Sequence, residues 1–351
     1  MSEKVEFTVQ TYQQCRKEDW DSFVQNNDEA WFWHSSHFIE AWPYGENISF
    51  CIKKNDEILL EQVLFFNEDK TKPRLHITRW HRIPYITSKT PKHNTFFSVG
   101  GFARKEGLSA KQERKLQSYY VDTIRTLAKE KEVDYYGYCI EATCPKLYWP
   151  GRCPVVNPMV FYGYKNKVSQ AYVIDLAQGE EDIFKGYVQT TRNLINRCKK
   201  DESIRIVEAK PTQEDLDKYY SLHVETYNRT GAVPHPKSYF EKIFFDILPA
   251  GFCHILFLYK GNQLIVAHNT LLYKQAAMYW TGCSISEKGD GETRLLMHEQ
   301  IIYAKRMGCR YFEVGECFPN ISSGKMKGLN DFKKCFGGFI HPIFSGEFDL
   351  L

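Results

Sequence analysis

The run Arg310-Tyr311-Phe312-Glu313-Val314-Gly315-Glu316, then a loop, then Gly328-Leu329-Asn330-Asp331-Phe332-Lys333-Lys334-Cys335-Phe336-Gly337-Gly338-Phe339, organises the reading of the whole chain. The first part is a β-prone segment ending in two carboxylates, Glu313 and Glu316. Pro319, Gly324 and Gly328, with Lys325 and Lys327, predict a flexible loop from Pro319 to Gly328. Phe332 and Phe336 bracket Lys333 and predict a buried strand or turn, with the lysine stem in apolar surroundings. Gly337-Gly338 suits a close approach of backbones. An apolar frame holding one cation beside carboxylates reads as a reactive pocket. The same residues also read as a terminal strand–loop–strand with surface lysines.

Upstream of Arg310, a helix is expected from about Thr293 to Met307. Before it lie β-prone runs at Cys253–Tyr259, Leu264–Tyr273 and Ala276–Ser284, the first two joined by Lys260-Gly261-Asn262-Gln263. Helices are expected over Glu180–Lys200, Gln213–Thr226 and Ser238–Leu248, with strands at Gln170–Asp175 and Ile204–Ala209. The first half carries the same signals. A helix over Glu18–Gln25 places Trp20, Phe23 and Val24 on one face, and a second starts at Ser35 or Ser36. Two strands flank Lys54-Asn55-Asp56-Glu57, and a long helix capped by Ser109 shows the stripe Leu116, Tyr120, Ile124, Leu127.

The halves repeat one another. Ile52–Leu64 parallels Leu258–Thr270, and Ile124–Tyr138 parallels Gln300–Val314 without a gap, setting Tyr135-Tyr136 on Tyr311-Phe312. Leu64 to Ile124 spans 60 positions and Thr270 to Gln300 spans 30; the excess is the basic, His-rich stretch 67–98. Order and pattern match more than identity does, which suits an old duplication. The Pro-rich segment Thr143–Pro158 marks the junction. The expected organisation is α/β (α+β): residues 1–163 as one unit with the insertion 67–98, and 164–351 as a second, each a mixed twisted sheet flanked by helices.

A net charge of +3 on 351 residues argues against a surface covered in nucleic-acid-binding charge, while leaving 67–98 as either an RNA-facing groove or a solvated loop. Eleven cysteines with no CxxC pair, and no secretory segment before them, predict reduced thiols in a cytoplasmic protein. No apolar run reaches membrane-spanning length, and no His/Cys spacing suggests a metal.

Trp20-Asp21-Ser22-Phe23, Thr191-Arg192-Asn193-Leu194-Ile195, Thr226-Tyr227-Asn228-Arg229-Thr230-Gly231, Tyr239-Phe240, Ala304–Glu316 and Phe332-Lys333-Lys334-Cys335-Phe336-Gly337 together resemble the Fem-type, peptidoglycan bridge-forming branch of the GNAT-fold acyltransferases. The resemblance covers nearly the whole chain and is strongest from about residue 165. It implies tandem GNAT-like domains and acyl transfer, without a tightly bound cofactor. The implied donor is an acyl-CoA or an aminoacyl-tRNA, and the implied acceptor a small molecule or a cell-envelope precursor. It places an electrophilic lysine at Lys333 and a phosphate-gripping arginine at Arg229. The long Lys/Glu-rich helical hairpin that some tRNA-using members insert is absent. The loop Lys288-Gly289-Asp290-Gly291 departs from the Gly-rich loop that takes the donor pyrophosphate in GNAT enzymes and resembles it only loosely; the resemblance implies donor binding by Lys288, Gly289 and Gly291.

The residues themselves add limits. Neither a Ser-His-Asp order nor a G-x-S-x-G elbow occurs, so direct transfer is favoured over an acyl-enzyme. Glu313 and Glu316 suit a proton acceptor and a binding group, or salt bridges to Lys325 or Lys327. Arg192 reads as an anion contact or as a charge on a helix end. His268, on an apolar strand, reads as a core histidine. The rival to an enzyme is a non-catalytic GNAT-fold binding protein of cell-envelope or polysaccharide assembly.

Overall fold

The computed structural model describes residues 7–68, 94–140, 156–285, 291–319 and 321–349. The chain forms two compact units, Met1–Ser169 with Ile343–Leu351, and Gln170–Pro342. Most of the basic stretch 67–98 and of the Pro-rich junction lies outside the described residues.

The first unit contains β1 (Thr8–Thr11), α1 (Lys17–Gln25), α2 (Ser36–Ala41), β2 (Glu46–Asn47), β3 (Phe50–Lys54), β4 (Glu57–Gln62), β5 (Phe65–Asn67), β6 (Asn94–Val99), β7 (Phe102–Arg104), α3 (Ala110–Glu130) and β8 (Val133–Ile140). β1, β3, β4 and β7 pair antiparallel in that order. β2, β5 and β6 form a second antiparallel set, and β6 runs parallel to β8. The expected β3–β4 hairpin turns at Asn55 and Asp56, both at positive φ (50° and 65°), as a two-residue turn between twisted strands requires.

α3 is the crossover that lets β6 and β8 run parallel. Its Ser109 cap and Gln112 bond reciprocally, and Leu116, Tyr120, Ile124 and Ala128 are buried against Phe50, Ile52, Leu60 and Phe96. Burying each such aliphatic side chain is worth about 1.5–3 kcal/mol. The Tyr120 hydroxyl donates to Gln62 Oε1 (2.8 Å).

The second half supplies β9 (Lys165–Asp175), α4 (Glu180–Lys185), α5 (Gln189–Lys199), β10 (Ile204–Glu208), α6 (Gln213–Arg229), α7 (Lys237–Lys242, continued by a π turn over Ile243–Ile247), β11 (Cys253–Lys260), β12 (Gln263–Tyr273), β13 (Ala276–Ser284), α8 (Glu292–Arg306), β14 (Tyr311–Cys317), α9 (Gly324–Lys334) and β15 (Phe339–Asp349). β10 to β13 pair antiparallel in sequence, β13 and β14 are parallel, and β14 pairs antiparallel with β9. α8 is the crossover here, as α3 is in the first unit. Each half is thus a mixed α/β unit with a parallel strand pair joined through a crossover helix.

Three features differ from the sequence expectation. The helix expected over Glu180–Lys200 is two helices, because the Val188 N–H donates to the Cys335 carbonyl (2.9 Å) instead of continuing the helical ladder. The loop and strand expected from Pro319 onward are instead helix α9. Lys327 pairs with Asp331 one turn on, and Asn330 bonds both backbone groups of Phe318 (2.8 and 2.7 Å), so glycines read as loop formers sit in a helix held from outside. Residues 343–349, expected with the second unit, pack with the first, since Phe344–Asp349 of β15 pairs with β8.

Candidate active site

The site is built where β13 and β14 part. Their parallel pairing covers Ala276↔Tyr311, Ala277↔Phe312 and Met278↔Glu313 and then stops, although both strands continue. At that point β14 carries a bulge against β9, between Glu313 and Gly315. Gly315 stands at φ 121°, in the region that favours glycine. A Cβ there would meet Lys333 Cε at 3.2 Å and Nζ at 3.3 Å, so the missing side chain is the space that Lys333 fills.

Lys333 comes from the last turn of α9 and is 2% exposed, whereas its neighbour Lys334 is exposed. Its Nζ donates to the Glu316 carbonyl (2.5 Å) and lies 5.2 Å from the centre of the Phe318 ring. Phe332 and Phe336 meet edge to face at 5.4 Å, and buried Phe336 packs edge to face on Tyr187 at 5.3 Å. This clamp fixes the end of α9. The glycine pair after it does bring backbones together: a Cβ on Gly337 would lie 2.4 Å from the Gly186 carbonyl oxygen, and one on Gly338 2.3 Å from that of Val173.

The carboxylates Glu313 and Glu316 are both buried on β14. Of the two partners considered from sequence, Lys327 is bonded to Asp331, and the side chain of Lys325 lies outside the described ones. Glu313 and Glu316 therefore lie at the bulged end of β14, and Lys333 reaches the Glu316 backbone there from α9.

The remaining candidates lie elsewhere. Arg229 ends α6, and its Nη2 donates to the Ser284 carbonyl at the end of β13 (2.7 Å). Thr226 bonds both backbone groups of the same Ser284, so α6 is fastened to this strand end. The Arg192 guanidinium donates to the carbonyls of Lys185 and Tyr187 and to Gln189, which makes it the brace of the α4–α5 break. Gly291 opens α8 at φ 101°, close against α5: a Cβ would fall 2.9 Å from Cys198 Sγ. Glu292 in the first turn of α8 accepts from Lys260 (3.1 Å). Lys288 and Gly289 lie outside the described residues.

Sequence reasoning missed two polar residues. Asn269 and Thr270 on β12 are wholly buried beside His268, and neither the amide of Asn269 nor the hydroxyl of Thr270 has a hydrogen-bond partner among the described residues. The signal was present as three polar residues in a row inside Leu264–Leu272. Burial pushes His268 down to about 3, so its ring is neutral. Among the described residues no helix is long and apolar enough to cross a membrane, and no group of side chains is arranged to hold a metal.

Residues 185–334 match the acetyltransferase (GNAT) domain family. Of the solved structures, FemX superposes with a TM-score of 0.66 at 12% identity, over 97% of this chain and 96% of FemX. The fold is that of the Fem-type GNAT proteins. A tandem GNAT protein from the clavulanic acid biosynthesis pathway (TM-score 0.53, 10% identity) covers 97% of this chain and 98% of its own. Saccharomyces cerevisiae N-myristoyltransferase with bound myristoyl-CoA (TM-score 0.52, 11% identity) covers 99% and 85%. No curated protein matches the chain by sequence. The expected tandem GNAT-like fold therefore holds, and the segment that matches the family carries β13, β14, Arg229 and Lys333.

Proposed function

We propose that the protein moves an acyl or aminoacyl group from an acyl-CoA or aminoacyl-tRNA directly to an amine or hydroxyl of a small or cell-envelope precursor acceptor in the cytoplasm. The observation that carries this reading is the buried ammonium of Lys333 behind the bulge of a strand that has just separated from its parallel neighbour. A donor carbonyl between the strands would bring its oxygen towards that ammonium. As the acceptor nitrogen or oxygen attacks the carbonyl carbon, charge collects on the carbonyl oxygen and Lys333 donates to it. Glu316 or Glu313 takes the proton of the nucleophile. The tetrahedral intermediate then collapses and expels the CoA thiolate or the ribose oxygen.

Donor phosphates are assigned to Lys288, Gly289, Gly291 and the start of α8, whose free N–H groups and dipole favour an anion. The acceptor phosphate is assigned to Arg229, whose planar fork suits two bonds to one phosphate. Arg192 is left out of this role, since its donors are committed to backbone. The experiment is a mass-gain screen with acyl-CoAs and charged tRNAs against amino-sugar and peptide acceptors. Transfer from one donor class establishes the reaction. Binding of an acceptor without transfer from any donor would favour the non-catalytic binding protein. With the acceptor known, Arg229→Ala should raise its KM at least tenfold, about 1.5–3 kcal/mol for a charge-assisted hydrogen bond. Early melting with normal acceptor binding would make Arg229 structural.

A further inference from the structure

In the first unit, neighbouring strands set Gln10 opposite Cys51, and Cys51 opposite Glu61. The three side chains share one face of the sheet, because directly paired residues point the same way. The chain leaving β1 makes a single tight turn, Tyr12–Gln14, and delivers Cys15 to this row. Cys15 Sγ lies 3.1 Å from Cys51 Sγ and 3.6 Å from Gln10 Oε1. A disulfide needs about 2.05 Å between sulfurs, so the pair is roughly 1 Å from bonding distance.

The two thiols have unequal surroundings. Cys51 is fully buried, whereas Cys15 is only half-buried. Burial pushes the Cys51 thiol up, and neighbouring Cys15 and Glu61 add to this. Glu61 is itself fully buried, with neither carboxylate oxygen hydrogen-bonded among the described residues, and burial holds it well above the usual carboxylate range. The reachable sulfur is thus Cys15, and Cys51 is a shielded thiol held against it.

We propose that Cys15 and Cys51 form a reversible disulfide by exchange with a small-molecule disulfide. The Cys15 thiolate attacks one sulfur of the reagent, forms a mixed disulfide and releases one thiolate, which takes a proton from water. The Cys51 sulfur then attacks Cys15 Sγ, and its proton leaves with the second thiol. Two protein thiols are oxidised and the reagent disulfide is reduced to two thiols. This site is separate from the acyl-transfer residues and does not depend on that reading.

The test uses the full chain, reduced and then incubated with oxidised glutathione. Wild type should lose two titratable thiols, and its non-reducing peptide map should join Cys15 to Cys51, with dithiothreitol restoring both thiols. Cys51→Ser should stop at a glutathione adduct on Cys15, and Cys15→Ser should leave Cys51 unmodified. Wild type that keeps both thiols, or that accumulates a stable adduct on Cys15, would overturn the proposal without recourse to either variant.

Discussion

The two units solve the same topological problem and finish it differently. In each, a hairpin (β3–β4, β11–β12) precedes a parallel pair joined by a crossover helix (β6–α3–β8, β13–α8–β14). In the first unit the parallel pair stays together over six registers, Asn94↔Val133 to Val99↔Cys139. In the second it stops after three, at Met278↔Glu313. The gapless repeat sets Gly137 on Glu313, and the same offset carried two residues past its end at Tyr138 sets Cys139 opposite Gly315 and Ile140 opposite Glu316. The first unit therefore lacks both carboxylates and the glycine that admits Lys333. A crossover helix joins each parallel pair, yet one pair stays zipped and the other opens, and the candidate site residues cluster at the open one.

The strongest way to break this contrast is Lys333→Met, which keeps most of the apolar stem and removes the charge. Loss of an oxyanion donor costs about 2.7–4 kcal/mol of barrier, so kcat should fall roughly a hundred- to thousandfold with little change in KM. Exposed Lys334→Met should stay near wild type. Equal, mild losses in both would place catalysis elsewhere, with Glu316 the next residue to replace.

Gly315→Ala tests the bulge itself. An L-residue at φ 121° is strained, and its methyl would press on Lys333. The expected loss is about 2 kcal/mol of stability, visible in urea unfolding, together with a fall in kcat. Unaltered unfolding would mean that the strand relaxes around the methyl and that the bulge is not what makes room for Lys333.

A pH series separates the units by a different property. His268, in the second unit, has a pKa of about 3 when folded against an ordinary 6.5. Between those values the unfolded chain binds the extra proton and the folded chain does not. Stability supplied by the neutral ring is therefore complete above about 6.5 and lost as the pH falls towards 3, at about 1.4 kcal/mol per pH unit. His268→Gln should flatten the decline of the urea midpoint between pH 7 and 5 by that amount. An equal slope in the variant would show that His268 is not what couples this unit to acid.

The smallest expected effect is in the first unit. Ser109→Ala removes the cap of α3 and should cost about 1 kcal/mol, read as a lower unfolding midpoint, with kcat unchanged. A large drop in kcat would remove the division of labour between the units.

Residues close in sequence carried most of the fold. The α3 stripe, its Ser109 cap, the Asn55-Asp56 turn and the second-half strands from Cys253 to Ser284 follow from period and turn chemistry, which are local. The misread segments are those governed by distant partners. Glu180–Lys200 looks like one helix until Cys335 claims the Val188 amide, and Gly324 and Gly328 look like loop until Asn330 anchors α9 to Phe318. Asn269 and Thr270 passed unnoticed because burial depends on what packs around a strand.

The sequence by itself determined the tandem plan, the mixed α/β class and the residue types proposed for acyl transfer, since hydrophobic period, caps and turns act within a few positions. Only the tertiary structure decided where β13 and β14 separate, that Lys333 fills the space left by Gly315, and that residues 343–349 belong with the first unit. Each of those outcomes is a contact between segments far apart in the chain, set by register and packing that no local pattern encodes.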